Sequence, residues 1–186
     1  MGRLGIAAAI LWLMAPNAHA APAYDGDKLV FPADYRTWTY VTTGFGMAYR
    51  PMNMGAAFDN VFVNPEAYKA FLETGSWPEG TELVLEVRVP EQKGALLKAG
   101  HFQGAVADTE IHIKDSKRFK GSWAFFAFPD QSKPAEMIPT TEDCYACHQS
   151  HAAVDTTFVQ FYPTLLPVAV QKKTLSPSYL AEEAKH

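Results

Sequence analysis

The sequence predicts an α+β fold: a mostly antiparallel β-sheet with a few helices, one in mid-chain and the others at the C-terminal end. Two observations predict it. Five segments rich in β-branched and aromatic residues follow one another, punctuated by Gly, Pro and Asn. The helix-type patterns do not alternate with them but fall into one short block and one C-terminal block. Segregation of this kind argues against a doubly wound parallel sheet.

Taken in order, residues 21–35 read as a Pro- and Asp-containing lead-in, and RTWTYVTTG (36–44) as the first strand. FGMAYRPMNMGAA is a loop broken by Gly46, Pro51 and Gly55. FDNVFVN (58–64) is a second strand. PEAYKAFLETG then opens on Pro65 and stops on Gly75, the usual asymmetry of a short helix. TELVLEVRV (81–89) alternates, placing Leu83, Leu85, Val87 and Val89 on one face, the core face. HFQGAVADTEIHIK (101–114) is a further strand. SWAFFAF (122–128) is apolar on both faces, which predicts a central position. After the loop PDQSKPAEMIP, residues 141 to about 170 read as helical.

The N-terminus bears on location. MGRLGIAAAILWLMAPNAHA has one basic residue, an apolar run from Ile6 to Met14, and Ala18-His19-Ala20 at its end. These are the three parts of a secretory leader. The expected organisation is a signal peptide over residues 1–20 and one domain over 21–186, exported to the periplasm and not inserted in the membrane after cleavage. Removing 20 of the 186 residues leaves 166, enough for one core. Without Arg3, 15 basic residues stand against 20 acidic ones, a net charge of −5. No basic cluster is present that would hold nucleic acid.

Both cysteines of the chain lie in TEDCYACHQSH, where Cys144 and Cys147 are followed at once by His148. On a helix, thiols at i and i+3 share one face and can add to the two vinyl groups of one haem. The adjacent histidine is then placed to ligate the iron. Thr140 or Thr141 is suited to cap this helix, with Glu142 and Asp143 in its first turn. A zinc site would need two more ligands, and a thioredoxin-type pair would need a strand just before it. A structural disulfide would leave the histidine unexplained. The reading is one covalently attached haem c, with His148 as the metal ligand.

A sixth ligand would make the protein an electron carrier that serves a small redox protein, and an open position a gas-binding or catalytic one. Met47, Met52, Met54 and Met137, with His101, His112, His151 and His186, are the available donors. His112, beside Lys114 in a strand, is expected to be exposed. His151 follows His148 by one turn and cannot reach across the ring.

YRTWTYV, the VFVNPEAYKAFLETGSWPEGT run, KDSKRFKGSWAFFAF and CYACHQSHAAVDTTFVQFYPTL together resemble the cytochrome P-460 family over nearly the whole mature chain. The resemblance implies a β-rich homodimer with a five-coordinate c-type haem. One branch of the family oxidises hydroxylamine and carries a lysine bonded to the haem edge. The other, the cytochromes c′-beta, lacks that bond and binds nitric oxide or carbon monoxide. The position matching the lysine is Leu85, and no lysine occurs between Lys69 and Lys93. The resemblance therefore implies the c′-beta branch: a gas-binding haem protein more than an enzyme, with a mainly hydrophobic distal pocket. Leu85 is assigned to that pocket, and Phe45 or Phe58 to its lid. Glu110 matches a distal carboxylate of the oxidising branch, a candidate acid or base with Asp59 beside it, and otherwise a strand glutamate facing solvent. Arg36 and Arg50 are either partners of the haem propionates or surface residues.

N-terminal sequencing of the exported protein is expected to begin at Ala21; retention of residues 1–20 would mean a membrane-tethered form instead.

Overall fold

The computed structural model describes residues 21–47, 55–94, 96 and 98–185. The expected leader, Arg50, Met52, Met54 and His186 lie outside them. Among the described residues, no helix is long and apolar enough to cross a membrane.

The chain opens with a two-strand hairpin, β1 (Tyr24–Asp25) and β2 (Lys28–Leu29), in the stretch expected to be irregular. Its strands are too short to leave a period in the sequence. A 3-10 turn over Tyr35–Thr37 leads into β3 (Thr39–Phe45), followed by β4 (Phe58–Val63). Helix α1 (Pro65–Thr74) follows, and Gly75 closes it in the left-handed region at φ 75°, where a Cβ would be strained. Then come β5 (Glu82–Glu91), β6 (Phe102–Lys114) and β7 (Trp123–Ala127). The five long strands form one antiparallel sheet in the order β3-β4-β5-β6-β7, each paired with its neighbour in sequence. The α+β reading is borne out.

Two expectations change. β7 lies at the edge of the sheet, not its centre. It is apolar on both faces because both are covered, and its outer edge bridges Met137 through Phe126. The stretch read as one helical region is broken. It holds α2 (Asp143–His151), a 3-10 turn at Val159–Phe161 and α3 (Leu166–Lys172), with α4 (Pro177–Glu183) beyond. Between α2 and the 3-10 turn, Val154 and Thr157 form a bridge around Asp155 at φ 52°. Apolar content at helical spacing could not reveal this turn. Neither Thr140 nor Thr141 caps α2: the N-cap is Glu142, without a side-chain bond.

Pleating gives the sheet two covered faces. One carries Leu83, Val63 and Trp123 beneath α1, α3 and the residues after α2, including Ala153, Val154 and Leu165. The other carries Val84, Ile111, Ile113, Ala124 and Phe126 beneath the N-terminal segment, including Leu29, Tyr35 and Trp38. Since β5 alternates, the second face also takes Glu86, which is 1% exposed. Its carboxylate accepts from Tyr35 Oη at 2.5 Å, Arg88 Nε at 2.5 Å and Asn60 Nδ2 at 3.2 Å, and it pairs with Arg36. Burial alone would raise the Glu86 pKa, but the bonds from Arg88 and Tyr35 and the charges of Arg36 and Arg88 take it below its ordinary range.

A carboxylate with a depressed folded pKa adds stability above its unfolded pKa and loses it as the pH falls. Urea-unfolding midpoints are therefore expected to drop on acidification below the ordinary glutamate value of 4.5. Glu86→Ala, which strands two arginines and a tyrosine, is expected to cost about 3–5 kcal/mol at pH 7 in the same measurement.

Candidate functional site

The face covered by α2 and the turn after it is organised in rows set by strand register. Phe125, His112, Leu83 and Val63 form one row. Ala127, Glu110, Leu85, Val61 and Thr42 form the next, and Asp108, Val87, Asp59 and Gly44 the third. Successive rows lie two residues apart along each strand, about 7 Å.

His148 docks on the first row. Its ring centroid is 4.6 Å from Phe125, 5.2 Å from His112 and 4.2 Å from Phe158. Its Nδ1 lies 2.7 Å from the Thr156 carbonyl oxygen, which can only accept. Nδ1 therefore carries the proton, and the lone pair of the neutral ring sits on Nε2. Burial lowers the His148 pKa, against a smaller opposing effect of the Thr156 bond, so the metal-ligating neutral form is the one favoured.

Cys144 and Cys147, one turn apart on α2, are half-buried and not joined in a disulfide. Burial raises the Cys144 pKa, and the charge of Glu110 across on β6 adds to the effect. Tyr145 ties the helix to β7: its hydroxyl donates to the Ile138 carbonyl at 3.0 Å and accepts from Phe125 N at 3.2 Å. Leu85, on the central strand, is the one residue from Thr81 to Val87 that is not buried. With half-buried Val61 beside it, it leaves an uncovered apolar shelf next to the thiols. Unbridged cysteines on one helical turn, an imidazole with one nitrogen committed and an apolar shelf together fit a covalently held haem.

Glu110 shares the row of Leu85, with Asp108 and Asp59 in the row beyond. Burial raises the Glu110 pKa, and the charges of Asp108 and Asp59 raise it further; burial also raises that of Asp59. Among the described residues no lysine or arginine pairs with these three carboxylates. Three carboxylates therefore stand beside the apolar shelf. Glu110 is half-buried on the face that α2 covers, not turned fully to solvent.

Phe45 and Phe58 are not brought to this face. They pair in register opposite Arg88, which alternation puts on the Glu86 side, and their tilted rings lie 4.7 Å apart between centroids. The expected phenylalanine lid is corrected accordingly: Val61, Leu85 and Val87 line the face in its place. Arg36 is likewise on the far side, paired with Glu86. His112, expected to be exposed, is 8% exposed and stacks on Phe125 at 3.9 Å. Its Nε2 lies 3.1 Å from Thr156 Oγ1. Burial, and then the neighbouring His148, push its pKa well below the ordinary value. Position on the Leu83 row was the available signal, since in an antiparallel pair His112 faces that core leucine. His151, at the end of α2, meets Glu182 of α4 at 2.8 Å.

The family model described as Cytochrome P460 matches residues 32–159, from the N-terminal turn through the cysteine motif to the turn after it. The chain belongs to the cytochrome P460 family, a family of haem proteins whose cofactor is a c-type haem. No curated protein matches the chain.

The raised Glu110 pKa carries a sign. Ionisation costs the folded state more than the unfolded one, so the penalty is absent below the ordinary value of 4.5 and grows as the pH rises. Glu110→Gln is expected to raise the urea midpoint at pH 7.5 and leave it unchanged near pH 4. An equal change at both pH values would contradict this account of Glu110.

Proposed function

We propose that this protein is an exported mono-haem cytochrome of the c′-beta type, binding nitric oxide or carbon monoxide at a five-coordinate iron. Cys144 and Cys147 would hold the haem through thioether bonds and His148 would ligate its iron through Nε2. The bound haem supplies an iron that takes a diatomic ligand and cycles between two oxidation states. A signal peptide over residues 1–20, on the leader pattern, and homodimerisation, on resemblance, belong to the same reading.

The observation that carries it is Leu85. It stands between Val61 and Glu110 in the middle row of the site face, where the hydroxylamine-oxidising branch is expected to carry a lysine. An aliphatic side chain offers no nucleophile to a haem edge. Lys114, which β6 does place on this face, is committed elsewhere: its Nζ donates to the Trp77 carbonyl at 2.8 Å and meets Asp155 at 3.1 Å. Val61, Leu85 and Val87 cannot donate hydrogen bonds, which favours a neutral diatomic over water or anions.

A second reading has an observation of its own. Asp59, Asp108 and Glu110 beside the same shelf would suit an enzyme that takes protons from hydroxylamine while oxidising it. Glu110 would act as the proton acceptor, and the electrons would pass through the haem to an external small redox protein.

Optical spectra of the purified holoprotein, ferric and ferrous, with and without nitric oxide, decide between them. A high-spin ferrous spectrum with an ordinary c-type Soret band that shifts on nitric oxide is expected. A strongly red-shifted ferrous Soret would mean a lysine cross-link and return the oxidase. A low-spin spectrum indifferent to nitric oxide would mean a sixth protein ligand and an electron carrier.

A further inference from the structure

The turn after α2 gathers bonds from three other parts of the chain: β6, the segment after α1, and α2 itself. Val154 and Thr157 exchange backbone bonds at 3.3 and 2.9 Å. Asp155, in the left-handed region, is held by Lys114 Nζ from β6. Thr157 Oγ1 accepts from Trp77 Nε1 at 2.7 Å and donates to the Val154 carbonyl at 2.8 Å. Thr156, between them, faces two imidazoles: its carbonyl accepts from His148 Nδ1 at 2.7 Å, and its hydroxyl lies 3.1 Å from His112 Nε2. That second bond survives either tautomer of His112, because a hydroxyl can donate or accept.

Shape alone does not account for His112. It fills a ring stack between Phe125 at 3.9 Å and Trp123 at 4.4 Å, which a phenylalanine would fill as well. A buried imidazole is costly unless its polar atoms are engaged. What the imidazole adds is a bond to the residue that holds His148.

We propose that His112 is a positioning residue for the proximal ligand: through the Thr156 hydroxyl it fixes the Thr156 carbonyl on His148 Nδ1, and so sets how strongly His148 donates to the iron. The inference rests on the reading of His148 as the axial ligand. A firm Nδ1–H bond makes the imidazole a stronger donor, which favours ferric iron; a loosened one weakens the iron–histidine bond and favours ferrous iron.

The test is the iron–histidine stretching band of the ferrous holoprotein by resonance Raman, together with the midpoint potential. His112→Phe keeps the ring stack and removes the bond; Thr156→Val keeps the carbonyl and removes the hydroxyl. Each is expected to lower the band frequency and raise the potential. The double variant is expected to shift no further than either single one, because both cut one link. His112→Gln, which restores a donor, is expected to recover part of the shift. Band and potential unchanged while only the melting temperature moves would overturn the proposal, as would fully additive shifts. If His112→Phe does not fold, Thr156→Val decides alone. Absence of an iron–histidine band in the unmutated protein would sink the reading of a five-coordinate iron on His148 and leave the midpoint potential as the deciding readout.

Discussion

Each strand of the sheet sends alternate side chains to opposite faces, and because both faces are covered, register decides which residues meet the site and which meet the ionic core. β5 carries this constraint most heavily. Leu83, Leu85 and Val87 face α2 and the turn behind it, while Val84, Glu86 and Arg88 face the N-terminal segment. A slip of one residue would bring Glu86 to the thiols and drive Leu85 among Tyr35, Arg36 and Asn60. Glu86, gripped from outside its strand by Tyr35, Arg36 and Asn60, makes that slip prohibitive. A buried ionic cluster contributes little net stability against an apolar substitute; what it supplies here is registry. The polar network on one face thereby fixes the apolar shelf on the other.

α2 needs anchoring of another kind. The helix has nine residues and buries none of them fully. An isolated helix of that length is marginal in water. It is held instead by polar ties at intervals: Tyr145 to Ile138 and Phe125, His148 to Thr156, His151 to Glu182, and Gln160 Nε2 to the His151 carbonyl. The turn at Val154–Thr157 therefore both holds the His148 ring through Nδ1 and fastens the helix that carries it. A covalently held group bridging Cys144 and Cys147 to the Leu85 shelf would complete the same attachment.

Much of this was legible in the sequence, for physical reasons. Period-two segments with Gly and Pro between them state a meander directly, and Cys144, Cys147 and His148 are local enough to be read from spacing alone. What was not legible depends on contacts between distant residues. Thr39–Phe45 and Phe58–Val63 announce themselves as strands, but which face takes Phe45 and Phe58 follows from their pairing with Arg88. His112 reads as exposed beside Lys114, yet pairing with Leu83 buries it. β7 reads as central because it is apolar on both sides, and the cover over its edge comes from a bridge to Met137 that no local pattern encodes. The turn at Asp155 sits between residues that score as helical, so its bonds to Lys114 and Trp77 are what reveal it.

The same register frames the functional question. In the middle row a leucine lies directly across from a glutamate whose pKa is raised by burial and by two further carboxylates. Those two features pull in different directions only if the row is asked to do one thing. An aliphatic shelf governs what can attach to a haem edge, since it offers no amine. Half-buried acids govern which ligands can approach, since ionised carboxylates repel anions and a protonated one donates a single hydrogen bond. A pocket with both would admit a small neutral molecule and exclude nitrite-like anions. It would retain a group able to move one proton and, on the proposed c′-beta reading, carry no covalent link from this row to the haem edge. On this argument the acidity of the face narrows the choice of ligand without supplying the missing amine, and the identity of residue 85 weighs more than the carboxylates around it.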